Sequence, residues 1–235
     1  MTPSDVRSEV SRLNVTLLES NVAINVNGSV LKRNGSNVLV TWPNASLSAL
    51  SDHVFGSLQE YRHFLRHREY TALLTDGALL QLSYSFDHDD VVGHRLCYYP
   101  CPLVLKSGGT SASFIDDFDD QLAGELEAQH AVLYASSRVD PIFGLRLRGP
   151  LRFDFDARNY SPHHSASHLH LLQDDSRWPI YGPVSIGHFV RFVFRHFYPY
   201  LEVAALREWP LRHGGRTVTA SEEYELFIEC RQQLR

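Results

Sequence analysis

The segment Tyr70-Thr71-Ala72-Leu73-Leu74-Thr75-Asp76-Gly77-Ala78-Leu79-Leu80-Gln81-Leu82-Ser83-Tyr84-Ser85-Phe86 reads as a β-hairpin. Thr75-Asp76-Gly77 is a tight-turn signal between two apolar arms, and the second arm alternates apolar and polar positions, the period of a half-buried strand. After the acidic turn Asp87-His88-Asp89-Asp90, Gly93 to Tyr99 makes a third strand. It stops at Pro100-Cys101-Pro102, because proline has no N–H to donate to a ladder. Consecutive strands joined by tight turns pair antiparallel, so this stretch sets the expectation of an antiparallel sheet.

The flanking sequence fits that reading. Asp5 to about Glu19 carries Val6, Val10, Leu13, Leu17 and Leu18 at helical spacing. Ser4 is its expected N-cap, and Arg7 three places on leaves that cap without a capping box. Ala23 to Val26, Val30-Leu31 and Val38 to Trp42 form a meander of short strands punctuated by Gly28 and Asn34-Gly35. Leu47 to about Arg68 reads as a second helix, with Arg62, His63, Arg66 and His67 on its solvated side. Ser107-Gly108-Gly109-Thr110-Ser111 is a linker signal. Phe114 to about Leu126 reads as an acidic helix, and Val139 to Gly149 as strand or loop. With no internal repeat, the expected architecture is α+β, with antiparallel sheet built from hairpins and several packing helices. Residues 1–235 are expected to form one domain, two-lobed about a boundary near 107–113.

The composition is that of a globular protein: 235 residues, 43% hydrophobic, 21% charged, net charge −5. The longest apolar runs are a few residues, too short to cross a bilayer. The start of the chain has no basic patch followed by an apolar stretch, the pattern of a secretory signal. With three cysteines, Cys97, Cys101 and Cys230, read as reduced thiols, a cytoplasmic location is expected. Arginine supplies 20 of the 22 basic residues, a bias that a GC-rich genome produces and that also suits bidentate phosphate contacts. Residues 141–216 carry a net +4, so the rest of the chain carries −9. Much of the acidity lies in Asp87 to Asp90 and Asp116 to Asp120, both read as solvated turns. The basic segment is where an anionic ligand is expected.

That segment holds the pattern with chemical content. Leu151-Arg152-Phe153-Asp154-Phe155-Asp156 alternates strictly, so Arg152, Asp154 and Asp156 share one face of a strand. Ser167-His168-Leu169-His170-Leu171 alternates as well. If the two strands pair, matching apolar faces forces the polar faces to match, and all five polar side chains converge, with His163 and His164 on the loop above them. Downstream, Ser185 is the expected N-cap of an apolar helix running to about Tyr198. Its other side carries His188, Arg191 and Arg195.

Three readings of this constellation stay open. Asp154, Asp156, His168 and His170 are a ligand set for a divalent metal that activates water. Alternatively, the two histidines perform metal-free acid–base chemistry, as in cleavage of RNA by its own 2′-hydroxyl. In the third reading the groups form a structural network of Asp–Arg and Asp–His pairs. A catalytic site predicts an open cleft with a histidine exposed; a structural network predicts Asp154 and His170 buried and paired. Cys97 and Cys101 lack a second ligand pair and read as buried structural thiols. Trp42, Trp178 and Trp209 read as core. Without a Gly-rich phosphate loop or a dinucleotide fingerprint, no nucleotide cofactor is expected.

Taken together, Leu74 to Tyr84, His94 to Pro102, the strand Leu151 to Asp156 with Ser167-His168-Leu169-His170, and the helix Phe189 to Tyr198 resemble one prokaryotic family, a domain of unknown function. The resemblance covers roughly residues 5 to 200 and implies a bacterial cytoplasmic protein. A local pattern, Arg152-Phe153-Asp154 followed by Pro162-His163-His164 and His168-Leu169-His170, resembles the TumE-type toxins of bacterial toxin–antitoxin pairs. It departs from them in chain length and in the wider spacing from Asp to Pro.

The resulting expectation is a toxin-like or defence-associated protein with a site directed at the phosphodiester bonds of RNA or DNA. His168 and His170 would do acid–base or metal-binding work, with Asp154 and Asp156 orienting them. Arg152, Arg191, Arg195, His163 and His164 would hold phosphate. The alternative is a non-enzymatic subunit that binds a cognate protein partner through its acidic face. Neither reading involves a membrane.

Overall fold

The computed structural model describes residues 1–45, 55–103, 111–134, 148–159, 165–172 and 175–211. Five helices are described: α1 (Pro3–Glu19), α2 (Leu58–His67), α3 (Ser111–Tyr134), α4 (Ile186–His196) and α5 (Ala204–Arg207). The strands are β1 (Ala23–Val26), β2 (Val30–Asn34), β3 (Asn37–Thr41), β4 (Ala72–Leu74), β5 (Leu79–Asp87), β6 (Asp90–Tyr99), β7 (Leu151–Asp156), β8 (Ser167–Leu171) and β9 (Arg177–Pro179).

All nine belong to one sheet, ordered β1-β4-β5-β6-β7-β8-β9, and every pairing among them is antiparallel. The fold is therefore α+β, as the hairpin reading implies. The long β5 serves two neighbours on one side: its start pairs with β4, and its end with β3, which carries β2. Since β6 and β7 are hydrogen-bonded neighbours, the sheet runs unbroken from the strands before residue 107 to those after it. The Thr75-Asp76-Gly77 turn closes as read, with Leu74 N–H donating to Ala78 O and Gly77 N–H to Leu74 O. Gly77 has φ +85°, and a Cβ there would come within 2.8 Å of Phe114 and 2.9 Å of Cys101. Glycine is required for conformation and for space alike.

Alternation sorts the sheet's faces. Leu80, Leu82, Tyr84, Phe86, Leu96, Tyr98, Phe153 and Leu169 fill the larger core, under α1, α4 and α5. The opposite face is divided. At one end Leu79, Cys97 and Tyr99 pack with Tyr61, Phe64 and Leu65 of α2 and Phe114, Phe118 and Leu122 of α3 in a smaller core. Beyond that core the same face is polar and is not covered by either helix.

Helix boundaries differ in places from expectation. Thr2, not Ser4, caps α1. Its hydroxyl accepts from Asp5 N–H at 3.2 Å, while Asp5 Oδ2 accepts from Thr2 N–H at 2.9 Å, a complete capping box with Pro3 in the first turn. Helix α2 starts at Leu58 under a Ser57 cap, and residues 46–54 lie outside the described residues. Helix α3 is longer than its acidic stretch suggested, and takes Asp116 to Asp120 into a helix rather than a turn. Asp119 there pairs with Arg62 and Arg66 of α2, so part of the expected solvated face of α2 binds its neighbour. Ser185 caps α4 as expected, its Oγ accepting from His188 N–H. Trp178 is 38% exposed on the outermost strand β9, whereas Trp42 and Trp209 are buried. Cys97 and Cys101 are buried thiols; Cys230, His163 and His164 lie outside the described residues.

Candidate active site

Antiparallel register turns the alternation of six strands into cross-strand rows on the sheet face opposite the larger core. One row runs Ser83, Arg95, Asp154, His168, Pro179 from β5 to β9. The next runs Gln81, Cys97, Arg152, His170, Arg177. A third runs Leu39, Ser85, Gly93, Asp156 from β3 to β7. Side chains directly opposite in such pairs have Cβ atoms about 5 Å apart, so each row is a set of contacts.

Asp154 is the centre. Its Oδ1 accepts from Arg95 Nε at 3.2 Å and its Oδ2 from Arg152 Nε at 2.8 Å. His170 Nε2 lies 3.5 Å from Oδ2. Burial by itself would raise the Asp154 pKa, but Arg95, Arg152, His170 and His168 together hold the carboxyl below its ordinary range. One ligating atom from each of Asp154, His168 and His170 falls within 4.8 Å of the others. The two imidazole rings stand edge to face at 4.7 Å. Behind them Phe55 closes the boundary with the smaller core: the Arg152 guanidinium lies 4.4 Å over its ring, and His170 meets it edge-on at 6.3 Å. Glu60 fixes the turn that carries Phe55, accepting from Gly56 N–H at 2.8 Å and from Tyr99 Oη.

Arg95, Arg152, Asp154, His168 and His170 line an open cleft of about 930 Å³. Arg95, Arg152, Arg158 and Arg177 supply its positive charge; Asp154 and Asp156 are its acids. At one end Arg158 reaches Asn37 of β3, donating to Oδ1 at 2.7 Å. Exposure divides the cluster: the His170 side chain is 2% exposed and that of Asp154 13%, whereas His168 is half-buried on the cleft surface. Asp154 and His170 thus have the pairing expected of a network, whereas of the features expected of an open site the cleft is present and its more accessible histidine, His168, is half-buried.

The structure brings together Arg152, Asp154, His168 and His170 as the paired alternation implied. Asp156 shares the cleft without joining the 4.8 Å cluster; its Oδ1 accepts from Arg158 N–H at 2.9 Å in the 3-10 turn after β7. Arg191 and Arg195 do not reach the site. Helix α4 packs its apolar stripe on the other side of the sheet, with Phe189 edge-on to Phe153. Its two arginines donate to backbone oxygens of the C-terminal segment: Arg191 Nε to Trp209 O at 2.7 Å, Arg195 Nε to Arg207 O at 3.2 Å. Arg95, Arg158, Arg177 and Phe55 are the site residues that motif reading missed. Arg95 was accessible to it, because His94-Arg95-Leu96-Cys97 alternates and only the β6–β7 register was needed to place it beside Asp154. Phe55 leaves no trace in the sequence pattern.

One further histidine marks the opposite face. His94 Nε2 accepts from Val184 N–H at 2.9 Å, and burial pushes its pKa from 6.5 down to about 4, so it is neutral there.

A family model described as an uncharacterized conserved protein (DUF2290) matches residues 22–230. No curated protein and no solved structure matches the chain. None of these matches shows the likeness to TumE-type toxins.

Proposed function

The chain belongs to the uncharacterized conserved family DUF2290, and from the geometry of its site we propose a toxin-like or defence-associated enzyme that cleaves phosphodiester bonds in nucleic acid. The observation that carries this reading is the convergence of Asp154, His168 and His170 within 4.8 Å on an open, arginine-lined cleft. Two imidazoles supply the base and the acid that phosphodiester cleavage needs, and guanidiniums bind phosphate oxygens by charge-assisted pairs.

Between the two chemistries, the electrostatics favour the metal-free one. Both Asp154 oxygens already accept from guanidiniums, and two fixed cations beside the cluster repel a divalent ion. In the proposed reaction His168, on the cleft surface, takes the proton of an RNA 2′-hydroxyl as O2′ attacks phosphorus. The bond from phosphorus to O5′ breaks, and the 5′-oxygen leaves with a proton from His170. Asp154 holds His170 in place and pairs with its imidazolium form. Arg152 and Arg177 neutralise the non-bridging oxygens. The products are a 2′,3′-cyclic phosphate and a 5′-hydroxyl.

Purified protein incubated with RNA, and with the same sequence as DNA, tests this directly. RNA is cut in the presence of a chelator, DNA is not, and His168→Ala or His170→Ala abolishes cutting in a folded protein. Cutting that a chelator stops and Mn²⁺ or Zn²⁺ restores would transfer the same residues to a metal mechanism. Absence of cutting under every condition would refute an enzymatic site and leave the cluster as a structural network in an interaction subunit. In a bacterium, induced expression should arrest growth with the wild type and not with the double histidine variant.

A further inference from the structure

Across the cleft from the arginines stands a wall of different chemistry: Leu39, Thr41, Trp42 and Ala45. Leu39 and Thr41 project to this face because their β3 neighbours Val38 and Val40 fill the larger core. Lys32 Nζ donates to Ala45 O and ties the end of the wall to β2. The floor between the walls is made of small residues, Ser83, Ser85 and Gly93. A Cβ at Gly93 would sit 3.1 Å from Phe155 O and 3.6 Å from Ser85 Cβ, and the glycine leaves this part of the floor without a side chain.

Thr41 is 1% exposed and Trp42 8%, yet Thr41 Oγ1 and Trp42 Nε1 have no hydrogen-bond partner among the described residues. Buried polar atoms left unpaired destabilise a fold, and two adjacent ones beside a cleft are explained by a ligand that completes them. Resting on the phosphodiester reading, we propose that this wall is a nucleobase subsite, which makes single-stranded polynucleotide the substrate class. The base would lie against Leu39, Trp42 and Ala45. A base acceptor would take the Trp42 indole N–H, and Thr41 Oγ1 would pair with a second edge atom. The low floor would let the attached sugar–phosphate reach the arginines and His168. A base inside a duplex has neither a free edge nor a free face for this wall.

The test is a binding comparison with the full chain and 2′-O-methyl strands, which lack the hydroxyl needed for cutting. Three probes carry equal numbers of phosphates: a single strand, its perfect duplex and an abasic strand. Wild type is expected to bind the single strand roughly tenfold or more tighter than either other probe, the scale of one stacked and hydrogen-bonded base. Thr41→Val is isosteric and removes the hydroxyl, and Trp42→Phe removes the indole N–H together with part of the ring. Each should reduce that preference and leave abasic-strand affinity unchanged, and Thr41→Val should keep or raise the thermal midpoint, because an unpaired buried group is removed without loss of volume. Equal binding of base-bearing and abasic strands, with RNA cutting intact, would remove the subsite and leave the phosphodiester reading standing. Variants that keep the full preference, or a lowered thermal midpoint in Thr41→Val, would likewise overturn the subsite. Failure of wild type to bind any strand would overturn both.

Discussion

His94 and Asp154 show how differently two ionisable residues sit on the two faces of one sheet. Asp154 is charged and compensated; its depressed pKa means that it stabilises the fold above the unfolded carboxyl value and that this contribution is lost as pH falls through the folded one. His94 is also depressed, for a different reason. Burial against Tyr84 and Phe155 disfavours its charged form, and its Nε2 lone pair is engaged by Val184 N–H. Between pH 6.5 and about 4 the unfolded chain binds a proton at this residue that the folded chain does not. Stability therefore falls as pH is lowered across that window, by about 3 kcal/mol at its lower end. Urea unfolding at pH 7 and pH 4.5 should show the loss, and His94→Gln should flatten it. An unchanged pH slope in the variant would place the acid sensitivity elsewhere.

At the scale of elements, α4 is held by features that a propensity argument would misjudge. Gly187 lies in its first turn, where alanine is normally favoured by about 1 kcal/mol. Here a Cβ would fall 1.9 Å from Pro210 O and 2.9 Å from Pro210 C, both backbone atoms. The segment after α5 crosses α4 at this point and is fixed there by Arg191 and by Trp209, whose Nε1 donates to Glu9 of α1 at 3.0 Å. Gly187→Ala should therefore cost roughly 2 kcal/mol or more despite its helix preference, by the overpacking mechanism. Thermal unfolding would show the loss, and red-shifted tryptophan emission would report displacement of Trp209. The same packing explains the misplaced basic stripe. Ile186, Phe189, Val190 and Val193 turn to the core, so Arg191 and Arg195 point away from the sheet and donate to the carbonyls of Trp209 and Arg207.

For the whole molecule, the sheet makes one face unlike itself along its length. Two helices cover the apolar end, and the polar end is left as a cleft with four arginines and two aspartates. The net of two positive charges is modest, because Asp154 neutralises part of the guanidinium charge that surrounds it. Binding of single-stranded nucleic acid should then depend weakly on salt, with log K falling against log [salt] at a slope of about −1.4. A titration between low and moderate salt checks this; a slope several times steeper would require basic surface outside the cleft.

What the sequence by itself determined is the set of faces. Strict alternation in Leu151 to Asp156 and in Ser167 to Leu171 requires Arg152, Asp154, His168 and His170 to share a surface once those strands pair, since a slip of one residue would bury charge and expose Phe153 and Leu169. The tight turn at Gly77 and the Ser185 cap are equally local and equally legible. The tertiary structure decided which other groups join that surface. Arg95 comes from β6, paired across 59 positions of chain, and Phe55 arrives through a Glu60-held turn. It also decided that Arg191 and Arg195 lie across the sheet. Those outcomes depend on strand order and on the side from which each helix packs, choices made by burial of apolar surface over the entire chain rather than by the spacing of residues within any one segment.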